Sequence, residues 1–431
     1  MKVRLPRGLR DLEPEMYDKV RFLYEKFLKV AEKYGFKIME PSTIELFETV
    51  CMKSGPQIRD EIYVFKDKSG RELALRFDLT VGLTRYVISN PQLPTPSKLA
   101  AFSMMWRYDE PQFARYRCFY QWDVEIYGAN QILAGAEVIA FSSDYLFELG
   151  LRNFEIRLSS RAFMNKLIEN FFPGADSLEL MRIIDKRDKI GSETMLKMLK
   201  EKVKEKEKIS EFIDIILRQY DAKNLEEEIP PTIRRKTEEE IRELVETTNL
   251  AKELGARNLR IDLSIVRGLD YYDSVVFEII CKDFPETGAI AGGGGFTALV
   301  KAFGGNFNAF GAAGGIERTI IVMDRLGLFP KRSERQGYFV AVVDVGNLEY
   351  ALDVVRQIRN VGIKCDFDIT GRKLERQLRY AEKMGFKKVL IVGKKEVASK
   401  TVTIKDFGTG EQITIPLKEF LEKITKKSPN L

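Results

Sequence analysis

The sequence predicts an α+β domain built on a mostly antiparallel sheet, interrupted by a helical insertion and followed by a smaller α/β domain. Three observations predict it. Strand-turn-strand patterns recur in the first 130 or so residues, a block of charged helical sequence fills residues 166–257, and strands alternate with helices beyond residue 337. At 431 residues and 44% apolar composition, the chain is long enough for about three domains with real cores.

The predicted domain limits follow these changes of pattern. The antiparallel domain is discontinuous and comprises residues 1–165 and 258–328, because strands resume after the helical insertion of residues 166–257. A polar, charged linker follows at residues 329–336, and the α/β domain with a largely parallel sheet occupies residues 337–431.

The N-terminal elements have clear start and stop signals. A core-facing helix begins near Pro14 and is stopped by Gly35, and a short strand ends at Pro41. Two short strand-like runs, residues 62–65 and 73–76, flank a polar turn and predict an antiparallel hairpin.

A second predicted hairpin pairs residues 102–106 with residues 117–127. Because side chains alternate across a strand, the returning strand places a set of polar residues on one face, namely Gln121, Asp123 and Glu125. A solvent-facing polar side explains that pattern equally well. The connecting loop, however, concentrates arginines beside this face, namely Arg107, Arg115 and Arg117. Cations beside carboxylates in one cleft suit a zwitterionic or phosphorylated ligand.

The segment Arg267–Tyr272 combines a guanidinium, a glycine, a carboxylate and two phenols within six residues. It follows an alternating run, residues 259–265, that predicts a half-buried strand broken by Gly268, and a second strand-like run occupies residues 274–280. A decorated hairpin turn is the plain alternative.

The glycine run at residues 291–295 lies in an apolar context, which favours a strand that a ligand or backbone approaches closely over a flexible linker. A rival interpretation is a dinucleotide-dependent oxidoreductase, since Gly293, Gly295 and Ala298 match the dinucleotide fingerprint. That fingerprint needs a parallel β-α-β unit, whereas the neighbouring elements here look antiparallel.

Composition excludes several chemistries. The chain has no histidine, so Ser-His and Cys-His nucleophile systems and imidazole metal sites are ruled out. The four cysteines are scattered, which fits reduced thiols. No apolar run reaches the roughly 18 residues of a membrane span and no targeting signal is visible, so we expect no membrane partner and a cytoplasmic location. The net charge of +6 tolerates a nucleic-acid partner.

In these motifs and their order along the chain, the sequence resembles the histidyl-tRNA synthetases, which are class II aminoacyl-tRNA synthetases, over essentially its whole length. The segment Arg267–Tyr272 matches the histidine-specific motif of that family residue for residue. The similarity continues through residues 75–81, 119–121 and 315–318, and through a C-terminal domain of the anticodon-binding type. Asp78 and residues 119–121 look closer to the archaeal and eukaryotic branch.

The resemblance implies ATP-dependent ligation of histidine to tRNA(His) through a histidyl-adenylate. The substrate carboxylate is already an ionised nucleophile, so a protein without histidine is able to catalyse this step by alignment and charge stabilisation. Histidine, ATP and tRNA(His) are the implied partners, together with a second copy of the chain in a homodimer. Mg²⁺ is expected, bound mainly through the ATP phosphates; its number and ligands stay open.

The resemblance also assigns roles by position. The catalytic residues would be Arg107 and Arg267. The ATP-binding residues would be Arg107, Arg115 and Arg318. The histidine-binding residues would be Asp78, Thr80, Gln121, Glu125, Arg267, Tyr271 and Tyr272. The acceptor end of the tRNA would meet Glu110 and Gln112.

Two departures from the family pattern affect the pocket. Gly295 and Phe296 stand where the family usually has Arg-Tyr, and Ala312 and Ala313 stand where larger residues are common. A catalytically silent synthetase paralogue that regulates histidine biosynthesis is the nearest alternative. Such paralogues usually lack the C-terminal domain, which this chain keeps.

Overall fold

The computed structural model of the protein describes residues 4–54, 56–108, 116–267, 271–330 and 335–426. The chain forms two compact units, Met1–Phe329 and Pro330–Leu431, which are described separately. Within the described residues, no helix is both long and apolar enough to cross a membrane.

The first unit contains two sheets. Its strands are β1 (Lys37–Ile38), β2 (Ile44–Leu46), β3 (Val64–Lys66), β4 (Glu72–Leu75), β5 (Ser97–Trp106), β6 (Cys118–Tyr127), β7 (Phe154–Ser160), β8 (Leu259–Ile261), β9 (Val275–Cys281), β10 (Ala289–Gly295) and β11 (Ala309–Gly315). The large sheet has the order β1-β5-β6-β11-β10-β9-β7-β8, and the small sheet has the order β2-β4-β3.

The large sheet is mostly antiparallel, as predicted. Only the outermost pairs, β1 with β5 and β7 with β8, are parallel in the described structure. The glycine-rich strand β10 pairs antiparallel with both β9 and β11. This glycine run therefore does not belong to the parallel β-α-β unit that a dinucleotide fingerprint needs.

Helices cover the large sheet and fill the insertion. They are α1 (Pro14–Lys33), α2 (Phe47–Ser54), α3 (Thr80–Ile88), α4 (Gln131–Glu148), α5 (Arg161–Phe171), α6 (Ser177–Asp185), α7 (Arg187–Ile190), α8 (Ser192–Lys202), α9 (Ile209–Leu217), α10 (Leu225–Glu228), α11 (Pro231–Arg234), α12 (Glu238–Glu253), α13 (Thr297–Ala302) and α14 (Ile316–Arg325). Short 3₁₀ turns occupy Pro56–Glu61, Lys206–Lys208 and Pro285–Thr287. Helices α5 to α12 all lie between β7 and β8 in the chain.

The core of the first unit lies between the large sheet and helices α1 and α4. Helix α1 begins with Pro14 at its first turn and buries an apolar stripe that includes Leu23 and Phe27. Phe27 meets Tyr145 of α4 edge to face, with 5.7 Å between ring centroids, and Tyr145 packs in the same way on Trp122 of β6. This packing fixes β6 from its apolar side.

The predicted hairpin at residues 62–76 is confirmed, with β3 and β4 as its strands. Its return strand pairs with β2 and leads into Arg76, Phe77 and Asp78, directly before α3. The predicted hairpin at residues 102–127 is likewise confirmed as the antiparallel pair β5 and β6.

The alternating run at residues 259–265 was expected to be one strand, and this prediction is wrong after Ile261. Strand β8 ends there because the Asp262 carboxylate accepts the Ser264 backbone N–H at 3.2 Å and the Ser264 hydroxyl at 2.5 Å, which closes a turn. The hairpin alternative for the following segment is also wrong. Strand β7 lies between β8 and β9 in the sheet, so β8 and β9 do not pair with each other as a hairpin.

The second unit is an α/β domain. Its elements are β12 (Arg335–Val342), α15 (Leu348–Asn360), β13 (Cys365–Phe367), α16 (Leu374–Lys383), β14 (Phe386–Val392), α17 (Lys394–Ser399), β15 (Thr401–Asp406), β16 (Gln412–Pro416) and α18 (Leu417–Lys426), with a 3₁₀ turn at Val345–Asn347. Strands β13, β12 and β14 run parallel, and β15 and β16 continue the sheet antiparallel.

Candidate active site

Strand β6 carries a buried row of polar side chains on the face away from the aromatic core. Asp123 has no exposed surface and Glu125 is 1% exposed. The Gln121 amide Nε2 donates to Asp123 Oδ1 at 2.7 Å, and the Thr80 hydroxyl, at the start of α3, donates to Glu125 Oε1 at 2.7 Å. The alternation along β6 predicted that Gln121, Asp123 and Glu125 share one face. The alternative, that this polar face meets solvent, is wrong.

Two carboxylate oxygens in this cluster lack a donor. Asp78 uses one oxygen to accept the Val81 backbone N–H at 3.0 Å, while its Oδ2 accepts no hydrogen bond from the described residues. Glu125 Oε2 likewise accepts no hydrogen bond from the described residues, and both oxygen atoms are buried. Buried polar atoms are almost always paired in proteins. Two buried acceptors without a donor in the described structure therefore indicate a ligand that brings N–H donors.

Burial dominates the electrostatics of the three acids. It raises the pKa of the Asp78 carboxyl to about 6, against the opposing effects of the Val81 N–H and the Arg107 guanidinium. Burial also raises the pKa of Asp123 and that of Glu125 well above the ordinary range, and repulsion among the three carboxylates adds to both shifts. A cationic group from a ligand would favour the charged forms of all three.

Arg107 brings positive charge to this pocket. It follows the last residue of β5, and its Nε donates to the Phe77 carbonyl oxygen at 2.9 Å, next to Asp78 in the chain. Its guanidinium carbon lies 5.2 Å from the centre of the Phe119 ring. Arg107 thus lies between the hairpin end and the acid cluster.

Arg267 is held by a carboxylate and by an unusual backbone conformation. Its Nη1 donates to Glu278 Oε1 of β9 at 2.8 Å, while its buried Nε makes no hydrogen bond within the described part of the chain. Its φ of 59° lies in the left-handed region, which is costly for a residue other than glycine and is typical of functional sites. The guanidinium carbon lies 5.9 Å from the Tyr272 ring centre.

Tyr271, Tyr272 and Phe296 form an aromatic wall. The two tyrosine rings lie 4.8 Å apart, and Phe296 meets Tyr271 edge to face at 6.3 Å between ring centroids. Burial raises the pKa of both phenols, so they stay neutral and keep their O–H donors. Phe296 is fully buried and contributes packing only.

Glycines in β10 and β11 allow these side chains to lie close to the sheet. A β-carbon on Gly311 would overlap the Glu125 carboxylate, which occupies the space above that residue. A β-carbon on Gly292 would lie 2.6 Å from Nη1 of Arg267. At Gly292 and Gly311 the two strands therefore offer only backbone to the side chains of the pocket.

A family model described as histidyl-tRNA synthetase matches residues 8–319, which include the whole cluster described above. The chain belongs to the histidyl-tRNA synthetase family. A second model, described as an anticodon-binding domain, matches residues 338–427 of this family member.

Individual relatives agree with this membership. The chain is 38% identical to a histidine–tRNA ligase of Pyrococcus horikoshii over 97% of each chain. It is 34% identical to one of Methanocaldococcus jannaschii, over 96% of this chain and 97% of the relative. The solved structure of a histidyl-tRNA synthetase from Nostoc shares the fold at a TM-score of 0.82 and 22% identity, covering 99% of this chain and 100% of that chain.

Several residues that were expected to form the site lie together in the pocket, namely Asp78, Thr80, Gln121, Glu125 and Arg107. Arg267 adjoins Tyr272, whose ring packs at a tilt against that of Tyr271. Arg318 on α14 donates to the Ala289 carbonyl oxygen at 2.8 Å, at the first residue of β10. The expected contacts Glu110, Gln112 and Arg115, like residues 268–270, lie outside the described residues.

Two residues of the site had no role in the sequence-based assignment. Glu278 is a lone charge within an apolar strand-like run, a signal that would have suggested a buried partner without identifying it; the structure shows that the partner is Arg267. Asp123 was placed on the polar face of β6 but received no function. Its complete burial now distinguishes it from a surface residue.

Proposed function

We propose that this protein ligates histidine to tRNA(His) with ATP, through a histidyl-adenylate. The observation that carries the proposal is the buried acceptor-rich pocket beside two arginines in a chain of this family, where one carboxylate oxygen each of Asp78 and Glu125 has no donor among the described residues. A zwitterionic amino acid with an N–H-bearing side chain supplies the donors that this pocket lacks.

Within this proposal, Asp78 and Thr80 receive the α-ammonium group of histidine, and Gln121 lies in the same pocket. Glu125 and Tyr272 hold the two imidazole nitrogens, and Tyr271 completes the wall. A buried site of polar groups rejects analogues that lack a matching group by about ten-thousandfold, because its own groups are then left unpaired.

In the first step a carboxylate oxygen of histidine attacks the α-phosphorus of ATP. The bond to the bridging oxygen breaks, and pyrophosphate leaves with that electron pair. We assign Arg107 to the α-phosphate, and Arg267 to the same phosphate and the histidine carboxylate. Guanidinium groups that are held in place before the reaction stabilise developing charge without reorganisation. Arg318 and Arg115 would bind the remainder of ATP, and Mg²⁺ would enter mainly on the ATP phosphates.

In the second step a ribose hydroxyl of the terminal tRNA adenosine loses its proton and attacks the adenylate carbonyl carbon. The bond from that carbon to the phosphate oxygen breaks, and AMP leaves with the electron pair. We propose that residues 337–431 bind the anticodon, which the anticodon-binding match at residues 338–427 supports. That match favours the ligase over the catalytically silent paralogue. Glu110 and Gln112 are the proposed contacts to the acceptor end, and exchanging both should alter recognition of the extra 5′ nucleotide of the tRNA.

Exchange of labelled pyrophosphate into ATP, measured with each amino acid in turn, tests the proposal. We expect exchange with histidine alone. Arg267→Ala should lower the exchange rate by about a thousandfold, as loss of a transition-state donor does, and leave histidine binding within a few fold. The control is Arg21→Ala, whose side chain is exposed on α1 and should have no effect. Exchange that does not depend on histidine would refute the proposal.

We also propose a homodimer that works in the cytoplasm. Strand β1 is an unpaired edge of the large sheet, and Ile38 on it is 43% exposed. Ile44, Leu46 and Phe65 expose further apolar surface on the small sheet. Apolar patches of this kind are typical of interfaces between copies. Sedimentation equilibrium should give twice the chain mass, and Ile44→Lys should lower it.

A further inference from the structure

Asp123 is the feature of this site that the assigned roles leave unexplained. It is fully buried in the central strand β6, between Gln121 and Glu125 on one face. Burying a carboxylate costs several kcal/mol unless it is well paired, so an apolar residue would serve the fold better. Its cross-strand neighbours, Ala101 and Ala313, carry no side-chain donor.

The hydrogen bonds of Asp123 identify what it acts on. Its Oδ1 accepts the Gln121 amide N–H at 2.7 Å, and its Oδ2 lies 3.4 Å from the Thr80 hydroxyl, which donates at 2.7 Å to Glu125 instead. An ionised carboxylate accepts hydrogen bonds and donates none. When Asp123 is ionised, which the ammonium group of a bound substrate favours, it admits only one orientation of the Gln121 amide, with the NH₂ group toward Asp123 and the carbonyl oxygen on the opposite side.

We propose that Asp123 is a positioning residue of the amino-acid pocket, which orients the Gln121 carbonyl oxygen toward the substrate ammonium group. This inference rests on the proposed function. Together with the Asp78 Oδ2 oxygen, the oriented amide presents acceptors to the three N–H donors of that group. Asp123 thus acts on recognition of the amino end of the substrate and leaves recognition of the imidazole to other residues.

Asp123→Asn separates orientation from packing. The amide has nearly the same shape, yet it both donates and accepts, so Gln121 is no longer restricted to one orientation. We compare three ligands: histidine, histidinol, which keeps the ammonium group and lacks the carboxylate, and 3-(imidazol-4-yl)propionate, which lacks the ammonium group. The KM for histidine and the inhibition constants of the two analogues are measured in the pyrophosphate exchange assay.

We expect Asp123→Asn to weaken the binding of histidine and of histidinol by about ten- to a hundredfold, which is the effect of losing a charge-assisted contact. Affinity for the propionate analogue and the KM for ATP should change less than about twofold. Equal losses for all three ligands would mean general damage to the pocket and would overturn the inference, as would no loss for any. Absence of exchange by the unsubstituted protein would instead refute the proposed function.

A double-variant cycle tests whether Asp123 acts through Gln121. Gln121→Met removes the amide and keeps the volume, so it should weaken the same two ligands. If Asp123 acts by orienting Gln121, adding Asp123→Asn to Gln121→Met should cost little more. Additive losses would show that Asp123 works independently of Gln121 and would overturn the positioning role.

Discussion

Replacing Asp78 by asparagine should stabilise the first unit while destroying substrate binding. The side chain is 3% exposed, one of its oxygens has no donor in the described structure, and burial raises its pKa from 3.8 to about 6. Asparagine keeps the acceptor for the Val81 N–H and removes the charge. The carboxylate is thus a cost to the empty protein that only the ligand offsets.

The magnitude follows from the pKa shift. A rise from 3.8 to about 6 is roughly two units, and each unit corresponds to about 1.4 kcal/mol, which gives about 3 kcal/mol. Because the pKa of Asp78 is raised in the folded state, the contribution of this carboxyl to the free energy of unfolding is most favourable below about pH 3.8, where it is protonated. That contribution is lost as the pH rises through about 6. Asp78→Asn should therefore gain about 3 kcal/mol in free energy of unfolding near pH 7.5, and much less near pH 4.5.

Urea unfolding followed by tryptophan fluorescence measures this gain. The two tryptophans, Trp106 and Trp122, both lie in the first unit and report its unfolding. Asp67→Asn is the matched control. Asp67 lies in an exposed turn, where a hydrogen bond from the Arg71 side chain lowers its pKa, so its replacement should act with the opposite sign at neutral pH. An Asp78→Asn effect that is equal at both pH values would refute the electrostatic reasoning.

Three further predictions concern the same site. Glu125→Gln should weaken the binding of histidine by about tenfold or more, because it removes a carboxylate acceptor; an unchanged affinity for histidine in the exchange assay would contradict the role assigned to Glu125. Gly311→Ala should lower both histidine affinity and stability, the latter by about 1–3 kcal/mol in urea unfolding, because the added methyl overlaps the Glu125 carboxylate. Glu278→Gln should lower kcat for exchange more than it raises the KM for histidine, because it releases Arg267; the reverse split would contradict that role.

Local patterns were sufficient to predict the elements that matter most for the pocket. Alternation with a period of two is set by strand geometry alone, so it placed Gln121, Asp123 and Glu125 on one face of β6 before any contact was known. The same pattern left open whether that face meets water, because burial depends on elements distant in sequence, such as the start of α3.

What the sequence left undetermined depends on long-range pairing. Alternation extended the strand at residue 259 to residue 265, yet a local Asp262 turn ends it at Ile261. The insertion of β7 between β8 and β9 brings together segments more than one hundred residues apart, and no local signal specifies it. The pairing of Arg267 with Glu278 depends on this order of strands, so it emerged only from the structure.

The backbone floor made by β10 and β11 bears on attempts to alter the substrate range. Side chains change rotamer to accommodate a larger ligand, whereas two hydrogen-bonded glycine-rich strands have no comparable freedom. Additional volume for a ring-substituted histidine must therefore come from side chains, and Phe296 in the aromatic wall is one that serves packing alone. Libraries that vary Phe296 and its neighbours should yield enzymes with a wider choice of amino acid, whereas libraries directed at the glycines should yield destabilised protein with weaker histidine binding.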